Sequence, residues 1–528
     1  MIDNSLVHSH QRMGPQIIMD YNNVGELLSK KVKENPNKTF LICPGKANDE
    51  FTYSEFKTVV DRTAKLLITN GLKKNDRICL VFHNSPEFLI LYFAGLSIGL
   101  TIVPINPDIA TREIRYIIEN SKSKAVFFND KLEFKINNIK KDLDNVKIKK
   151  IKSIEDLNLS ANANVSFEQP EISLYDIAVI IYTSGTTGNP KGVVLSHLNL
   201  LADAMGISKW FEFNEETRCL CILPLFHNNG QITTLLAPLY AGGSTVIVKG
   251  KISLYAFWDL VNEYKATWTS VMASILSILL SLPNERKDNS LHAILCGGQI
   301  LTRSVQDQFE SRFNVPIFEG YGLTETTSFS CINNYPAEKR KIGSIGKSLI
   351  TNEIAILNEN DEEVEGNTEG EICIRGYNVA NGYLGDLEKN YAFRNGWFHS
   401  GDYGKKDGEG NFYFHGRQDS LIIKGGENIY PAEIENVLYS HPDIEECAVI
   451  GIPHKLLGED ICVFIKIKNE SQLTENGLKE FYKNKIADYK KPQKIILINN
   501  LDDLTEIPKG PTKKILYRKL KEYYKGKN

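Results

Sequence analysis

Apolar and polar positions run along this chain in two rhythms. Between Arg77 and Phe128, short apolar runs alternate with stretches of helical spacing. Arg77–His83 is predicted as a strand, Glu87–Leu100 as a helix, Thr101–Ile105 as a strand, Thr111–Ser121 as an amphipathic helix and Ala125–Phe128 as a strand. Buried strands separated by helices at this spacing predict a doubly wound, largely parallel sheet. The rhythm returns with strands at Ser244–Val248, Ala293–Cys296 and Val315–Glu319 and helices at Phe257–Glu263 and Ser304–Phe313, so two α/β layers are expected. From about residue 343 to 415 the texture changes to short alternating strands (Ile354–Leu357, Gly370–Arg375, Asn411–His415) broken by Gly and Asp turns, a small β-barrel-like subdomain. Beyond 419 a compact mixed unit follows. Pro431 opens a helix, Cys447–Ile452 and Ile461–Lys468 are strands, another helix intervenes, and Lys494–Ile498 closes the set. The expected fold class is α/β, with a large N-terminal domain (1–418) and a small α+β C-terminal domain (419–528).

One segment tests whether the chain enters a bilayer. Phe88–Ile105 is nearly uncharged and about long enough to span one. Gly95, Ser97, Gly99 and Pro104 interrupt it, and the β-rich Thr101-Ile102-Val103 follows the helical part. It reads as a buried helix feeding a buried strand, so no membrane span is expected.

Composition narrows the function classes. With 62 Lys+Arg against 65 Asp+Glu, net charge −3, nothing favours nucleic acid or an anionic membrane as the main partner. Nine cysteines are dispersed with no CxxC, and Cys219 and Cys221 stand too close for a usual ligand pair. They read as reduced core thiols of a cytoplasmic protein and exclude a secreted disulfide scaffold. Met1–Met13 lacks the charged-then-apolar pattern of a secretory signal. Residues 471–528 carry 14 Lys+Arg against 7 Asp+Glu, either a solvated surface or a positive face for polyphosphates.

The chemistry is concentrated in a few motifs. An apolar strand, Ile177–Ile181, runs into Tyr182-Thr-Ser-Gly-Thr-Thr-Gly-Asn-Pro-Lys191-Gly192. Its glycines expose backbone N–H groups, and Thr183, Ser184, Thr186, Thr187 and Lys191 add donors, an array suited to the terminal phosphates of a nucleotide. It is not the Walker loop, because Gly-Lys-Ser/Thr is absent. Next comes Phe318-Glu-Gly-Tyr-Gly-Leu-Thr-Glu325-Thr, offering a ring for a base, a hydroxyl for a phosphate and a carboxylate for a divalent ion. Gly396-Trp-Phe-His-Ser-Gly-Asp402 follows, then Gly416-Arg417-Gln-Asp419, then Ser420–Glu433 with Lys424-Gly425-Gly426, and last Ile507-Pro-Lys-Gly-Pro-Thr-Lys-Lys514-Ile.

In this order and at these intervals, the motifs resemble the AMP-forming superfamily of acyl-CoA synthetases, adenylation domains and firefly-type luciferases, from about Val24 to Leu520. The resemblance implies ATP, Mg²⁺ and CoA, or the phosphopantetheine of an acyl carrier protein, acting with a small carboxylic acid. It implies a phosphate loop of Thr183, Ser184, Gly185, Thr186, Thr187, Gly188 and Lys191. Gly297, Gly298, Gln299, Glu319, Gly320 and Tyr321 are expected around adenine, and Asp402 and Arg417 at the ribose. Thr324 is expected at the α-phosphate and Glu325 at magnesium. Asp419 falls at the interdomain hinge, and Lys424, Gly425 and Gly426 on the pantetheine path. Lys514 aligns with the catalytic lysine, although Lys513 stands where the family pattern has glycine, which leaves the register of the two lysines open. Leu223-Pro-Leu-Phe-His227-Asn-Asn-Gly-Gln231 resembles the mouth of the acyl pocket, with His227, Asn228, Asn229 and Gly230 as candidates. His227 stands where amino-acid-activating relatives usually place an aspartate, which argues against an α-amino acid. If Asn228 and Asn229 face the pocket, a short or polar acid is favoured; they could equally cap a turn.

These residues imply two half-reactions. A carboxylate is ionised near neutral pH, with a pKa of roughly 4, so it attacks without a general base. The barrier is the approach of one anion to a polyanion, and cations with preorganised donors lower it. The resulting acyl-AMP is then attacked by a thiol. The expected function is acyl-CoA synthesis; loading of a carrier protein is the alternative, and a non-catalytic nucleotide-binding homologue is the weaker one.

Overall fold

The computed structural model describes Gln11 and residues 14–45, 50–143, 145–158, 170–183, 189–250, 254–283, 288–385, 389–468, 471–510 and 515–527. The first expected sheet is a six-stranded one, in the order Lys147–Ile151, Ala125–Asn129, Arg77–Val81, Thr101–Ile105, Ile177–Thr183, Lys191–Ser196. Its pairs are parallel except the last, where the two strands flanking the phosphate loop run antiparallel. The second is a nine-stranded sheet whose core strands, Arg218–Cys221, Ser244–Ile247, Trp268–Val271, Ala293–Cys296 and Ile317–Tyr321, are parallel. Thr39–Ile42 and Glu50–Thr52, from the N-terminal stretch, extend that sheet at one edge. Their few residues lie outside the regular strand–helix rhythm.

Two helices fill the space between the sheets. In Pro86–Ser97, Ser85 Oγ accepts the N–H of Phe88, Pro86 occupies the first turn, and all twelve residues are buried. It feeds Thr101–Ile105, buried throughout, which accounts for the apolar run without a bilayer. Among the described residues, no helix is long and apolar enough to cross a membrane. The second, His197–Trp210, starts from a capping box between Ser196 and Asn199. Side chains of both helices share one core with Ile78 and Ile102 of the first sheet and Cys219 and Leu295 of the second. At about 1.5–3 kcal/mol per buried large apolar side chain, this shared core ties the two layers together. All nine cysteines are buried, free thiols.

The β-rich region is an antiparallel sheet built from Asn352–Leu357, Gly370–Gly376, Phe393–Arg394, Trp397–Lys406 and Phe412–Arg417. Its last strand runs two residues past the predicted His415, which brings Arg417 into register with Asp402. The C-terminal unit holds a fourth sheet. In its central antiparallel pair, Ile444–His454 and Gly458–Ile467, both strands reach further toward their shared turn than predicted, because the pairing continues up to that turn. Helix Pro431–Tyr439 packs on one face of that sheet and helix Tyr517–Lys527 on the other.

Candidate active site

The C-terminal ends of the parallel strands in both large sheets open into one cleft of about 2430 Å³. That is where open α/β sheets bind ligands. The C-terminal unit supplies its far wall through Glu435, Tyr439, Lys509, Ile515 and Tyr517.

At one end lies the carboxylate of Asp402, 4% exposed. Strand register places it opposite Arg417, whose Nε is 3.1 Å from Oδ1. Tyr321 donates its hydroxyl to Oδ2 at 2.6 Å, and burial beside this carboxylate pushes the phenol well up. Arg417 also donates to the carbonyl of Ser400 at 3.2 Å. An anion held by a guanidinium and a phenol, facing a cleft, can accept hydroxyl donors.

Of the expected adenine residues, Gly298, Gln299, Glu319, Gly320 and Tyr321 line the cleft. Gly297 stands behind them, where a Cβ would lie 2.5 Å from the Phe329 ring. Gln299 Oε1 accepts the N–H of Ser274 at 3.0 Å, capping helix Ala273–Ser281 from outside. Burial raises the Glu319 carboxyl to about 8, against a hydrogen bond from the Leu301 backbone.

Thr324 and Glu325 sit on a short 3₁₀ turn, Thr324–Thr326, that lines the same cleft. Tyr383 donates to Glu325 Oε1 at 2.8 Å and carries Lys191 over its ring at 5.4 Å. One tyrosine thus links the expected metal carboxylate to the phosphate-loop lysine. Behind the turn, Thr327 takes φ +67° and ψ −68°, and the N–H of Ser328 closes a γ-turn on Thr326 O at 2.8 Å. A β-branched residue in that region costs about 1–3 kcal/mol and persists only when its surroundings fix it. Here Asn378 Nδ2 donates to Thr326 O (3.2 Å) and Phe329 O (3.3 Å), Thr327 Oγ1 donates to Asn378 O (2.6 Å), and Asn228 Nδ2 donates to Thr327 O. Asp203 accepts the N–H of Phe329 at 3.3 Å, and its carboxyl is pushed far up by burial.

The remaining expected residues divide. Thr183 and Lys191, register partners at the mouth of the hairpin, line the cleft. Ser184, Gly185, Thr186, Thr187 and Gly188 lie outside the described residues, as do Lys513 and Lys514. Lys509 and Ile515, on either side of the lysine segment, line the cleft and form an antiparallel bridge with each other. His227, Asn228, Asn229 and Gly230 are not among the cleft-lining residues; Pro224 and Phe226 just before them are. Asn228 is turned toward the Glu325 turn, and a Cβ on Gly230 would meet Pro224 O at 2.7 Å. The backbone of Asp419 lies in the 3₁₀ turn Gln418–Ser420. Lys424 is paired with Asp460 at 2.6 Å, and Gly425 and Gly426 (φ +62° and +92°) form the turn of hairpin Ile422–Lys424/Glu427–Ile429. None of those three lines the cleft.

Sequence reasoning missed Tyr383, Asn378, Asp203 and the cleft-lining pair His83 and Asp108, 3.2 Å apart. Asp203 left a readable signal, being the one charged side chain in the mostly apolar run Leu198–Ile207. A second potential ligand cluster is Glu371, Cys373 and His399, whose donor atoms lie within 4.8 Å of one another. Cys373 and His399 are register partners, His399 Nδ1 lies 2.8 Å from Glu371 Oε2, and Glu371 Oε1 accepts the N–H of Gly401 at 2.8 Å. Burial pushes the Cys373 thiol up. The cluster is built as a brace for the corner that carries Asp402.

Residues 28–384 match the AMP-binding enzyme family, and residues 433–507 match the AMP-binding enzyme C-terminal domain. The chain belongs to the AMP-binding enzymes. Oxalate–CoA ligase of Arabidopsis thaliana is 31% identical over 96% of this chain and 99% of its own length. Crotonobetaine/carnitine–CoA ligase of Citrobacter koseri is 32% identical over 92% and 96%. The structure of o-succinylbenzoate coenzyme A synthetase from Bacillus subtilis in complex with ATP and magnesium superposes with a TM-score of 0.81 at 28% identity, covering 94% of this chain and 99% of that one. The AMP-binding enzyme fold thus accounts for the two α/β layers, the antiparallel half-barrel and the separate C-terminal sheet.

Proposed function

We propose that this acid–thiol ligase converts a carboxylic acid to its acyl-AMP, with release of pyrophosphate, and then passes the acyl group to CoA. The observation that carries the reading is the meeting, in one cleft, of the Asp402–Arg417–Tyr321 group with Glu325, Tyr383 and Lys191. In it, Asp402 and Arg417 receive the ribose, Tyr321 and the Gly298–Gln299 wall receive adenine, and Thr183, Lys191 and the loop between them receive the phosphates. Glu325, a hard oxygen donor held by Tyr383 in an open cleft, fits Mg²⁺, which usually takes one or two carboxylates plus substrate phosphates. When bound, that ion neutralises charge on the phosphate oxygens. Lys514, three residues before the cleft-lining Tyr517, supplies the positive charge for the first step.

Lys424, Gly425 and Gly426 stand off the cleft, whereas Lys509 and Ile515 line it. This is the arrangement the first half-reaction requires. The second requires the C-terminal domain to turn about Asp419 and bring the glycine hairpin round. Asn228 serves the Glu325 turn, so the acid class rests on the relatives, whose named acids, oxalate and crotonobetaine or carnitine, are small and polar. We therefore propose a small polar acid for this chain as well. The test is an ATP–pyrophosphate exchange screen over acids of graded length and polarity, followed by CoA and holo carrier proteins as acceptors. Exchange with short polar acids and thioester formation on CoA support the reading. A preference for long saturated chains overturns the acid class, and transfer to carrier proteins alone overturns the acceptor.

A further inference from the structure

One buried carboxyl on the cleft wall belongs to no part of the nucleotide. Glu435 sits in helix Pro431–Tyr439 beside the core residues Ile434 and Leu438 and is 4% exposed. A carboxyl at such a position costs more than an apolar side chain of the same volume unless its oxygens are satisfied. Here they are. Oε1 accepts the N–H of Val449 at 2.9 Å and the hydroxyl of Tyr517 at 3.0 Å, and Oε2 lies 3.2 Å from the same hydroxyl. Tyr517 is the first residue of helix Tyr517–Lys527, three positions after Lys514.

The other root of the lysine segment is anchored to the same strand. Lys509 pairs with Glu446, and Glu446 and Val449 both belong to Ile444–His454. The N–H of Leu516 donates to Pro508 O at 2.8 Å, closing the base of the segment. The described residues on either side of the lysine segment, Lys509 and Tyr517, are therefore each tied to the core of the C-terminal unit. Misplacement of a catalytic group by about 1 Å can cost roughly 100-fold in rate, so the anchoring of the flanking residues bears on any step that a lysine between them serves.

We propose that Glu435, acting through Tyr517, is a positioning residue for the adenylation step: it fixes the C-terminal root of the segment that carries Lys514. The proposal rests on the reading that Lys514 acts in that step. The test uses full-length Tyr517→Phe, Glu435→Gln, Glu435→Ala and Lys514→Ala, assayed with the most active acid of the exchange panel and with its prepared adenylate. Tyr517→Phe removes one hydroxyl and leaves the ring. Its pyrophosphate exchange falls about 10- to 100-fold, while thioester formation from supplied adenylate stays within about twofold. Glu435→Gln, which keeps an acceptor oxygen, retains more exchange than Glu435→Ala. Equal losses in both half-reactions, or unchanged exchange in Tyr517→Phe, overturn the proposal. If Lys514→Ala abolishes exchange while Tyr517→Phe does not, only the positioning role falls; if Lys514→Ala exchanges normally, the lysine reading falls and takes this one with it.

Discussion

Asp402 shows how much a single side chain depends on register. Its carboxylate is useful because Arg417 stands opposite it and Tyr321 reaches it from the nine-stranded sheet. Asp402→Asn should raise the KM for ATP at least tenfold, measured by pyrophosphate exchange, since it weakens both charge-assisted contacts. Glu319 offers a pH test. Its carboxyl is raised by burial from an ordinary 4.5 to about 8, so the folded state keeps a proton that the unfolded chain has released. Stability attributable to this group is therefore highest below about pH 4.5 and is lost as pH rises toward 8. Glu319→Gln should flatten that part of a melting-temperature profile; an unchanged slope contradicts the assignment. Asn378→Ala removes donors to Thr326 O and Phe329 O, so the Glu325 turn loosens. The magnesium concentration for half-maximal exchange should rise several-fold.

At the scale of elements, the turn from Tyr321 to Ser330 is the tightest construction in the cleft. A Cβ on Gly322 would collide with the carbonyl oxygen of Ser328, so Gly322→Ala must open the turn. Exchange activity should drop at least 100-fold with a lower melting temperature; a variant with normal exchange contradicts the view that this turn aims Glu325. The elements themselves were largely legible. Thr101–Ile105, Thr111–Ser121, Phe257–Glu263 and Ala293–Cys296 match their predicted bounds, because each pairs a clear period with a Gly, Pro or polar boundary. The site was legible as motif positions but not as contacts. Nothing local in Asn228 tells that its amide reaches the backbone of Thr327, 99 positions away. Tyr383 and Asn378 were missed for the same reason: their partners are brought by tertiary packing.

For the whole molecule, the C-terminal unit presents Glu435, Lys509 and Tyr517 to the cleft, whereas its hairpin of Lys424, Gly425 and Gly426 does not line it. Fixing the backbone at the proposed hinge with Asp419→Pro should spare adenylation and slow thioester formation at least tenfold. Equal losses in both steps would discard the pivot. The fold class could be read from the rhythm of strands and helices, whereas which residues of the C-terminal unit line the cleft could not, since that is a property of how separate units meet.

The most direct measurement is the nucleotide product. Purified enzyme with ATP, magnesium, CoA and an acid active in exchange should yield AMP, pyrophosphate and acyl-CoA in equal amounts. ADP with orthophosphate in their place would contradict the account at its root.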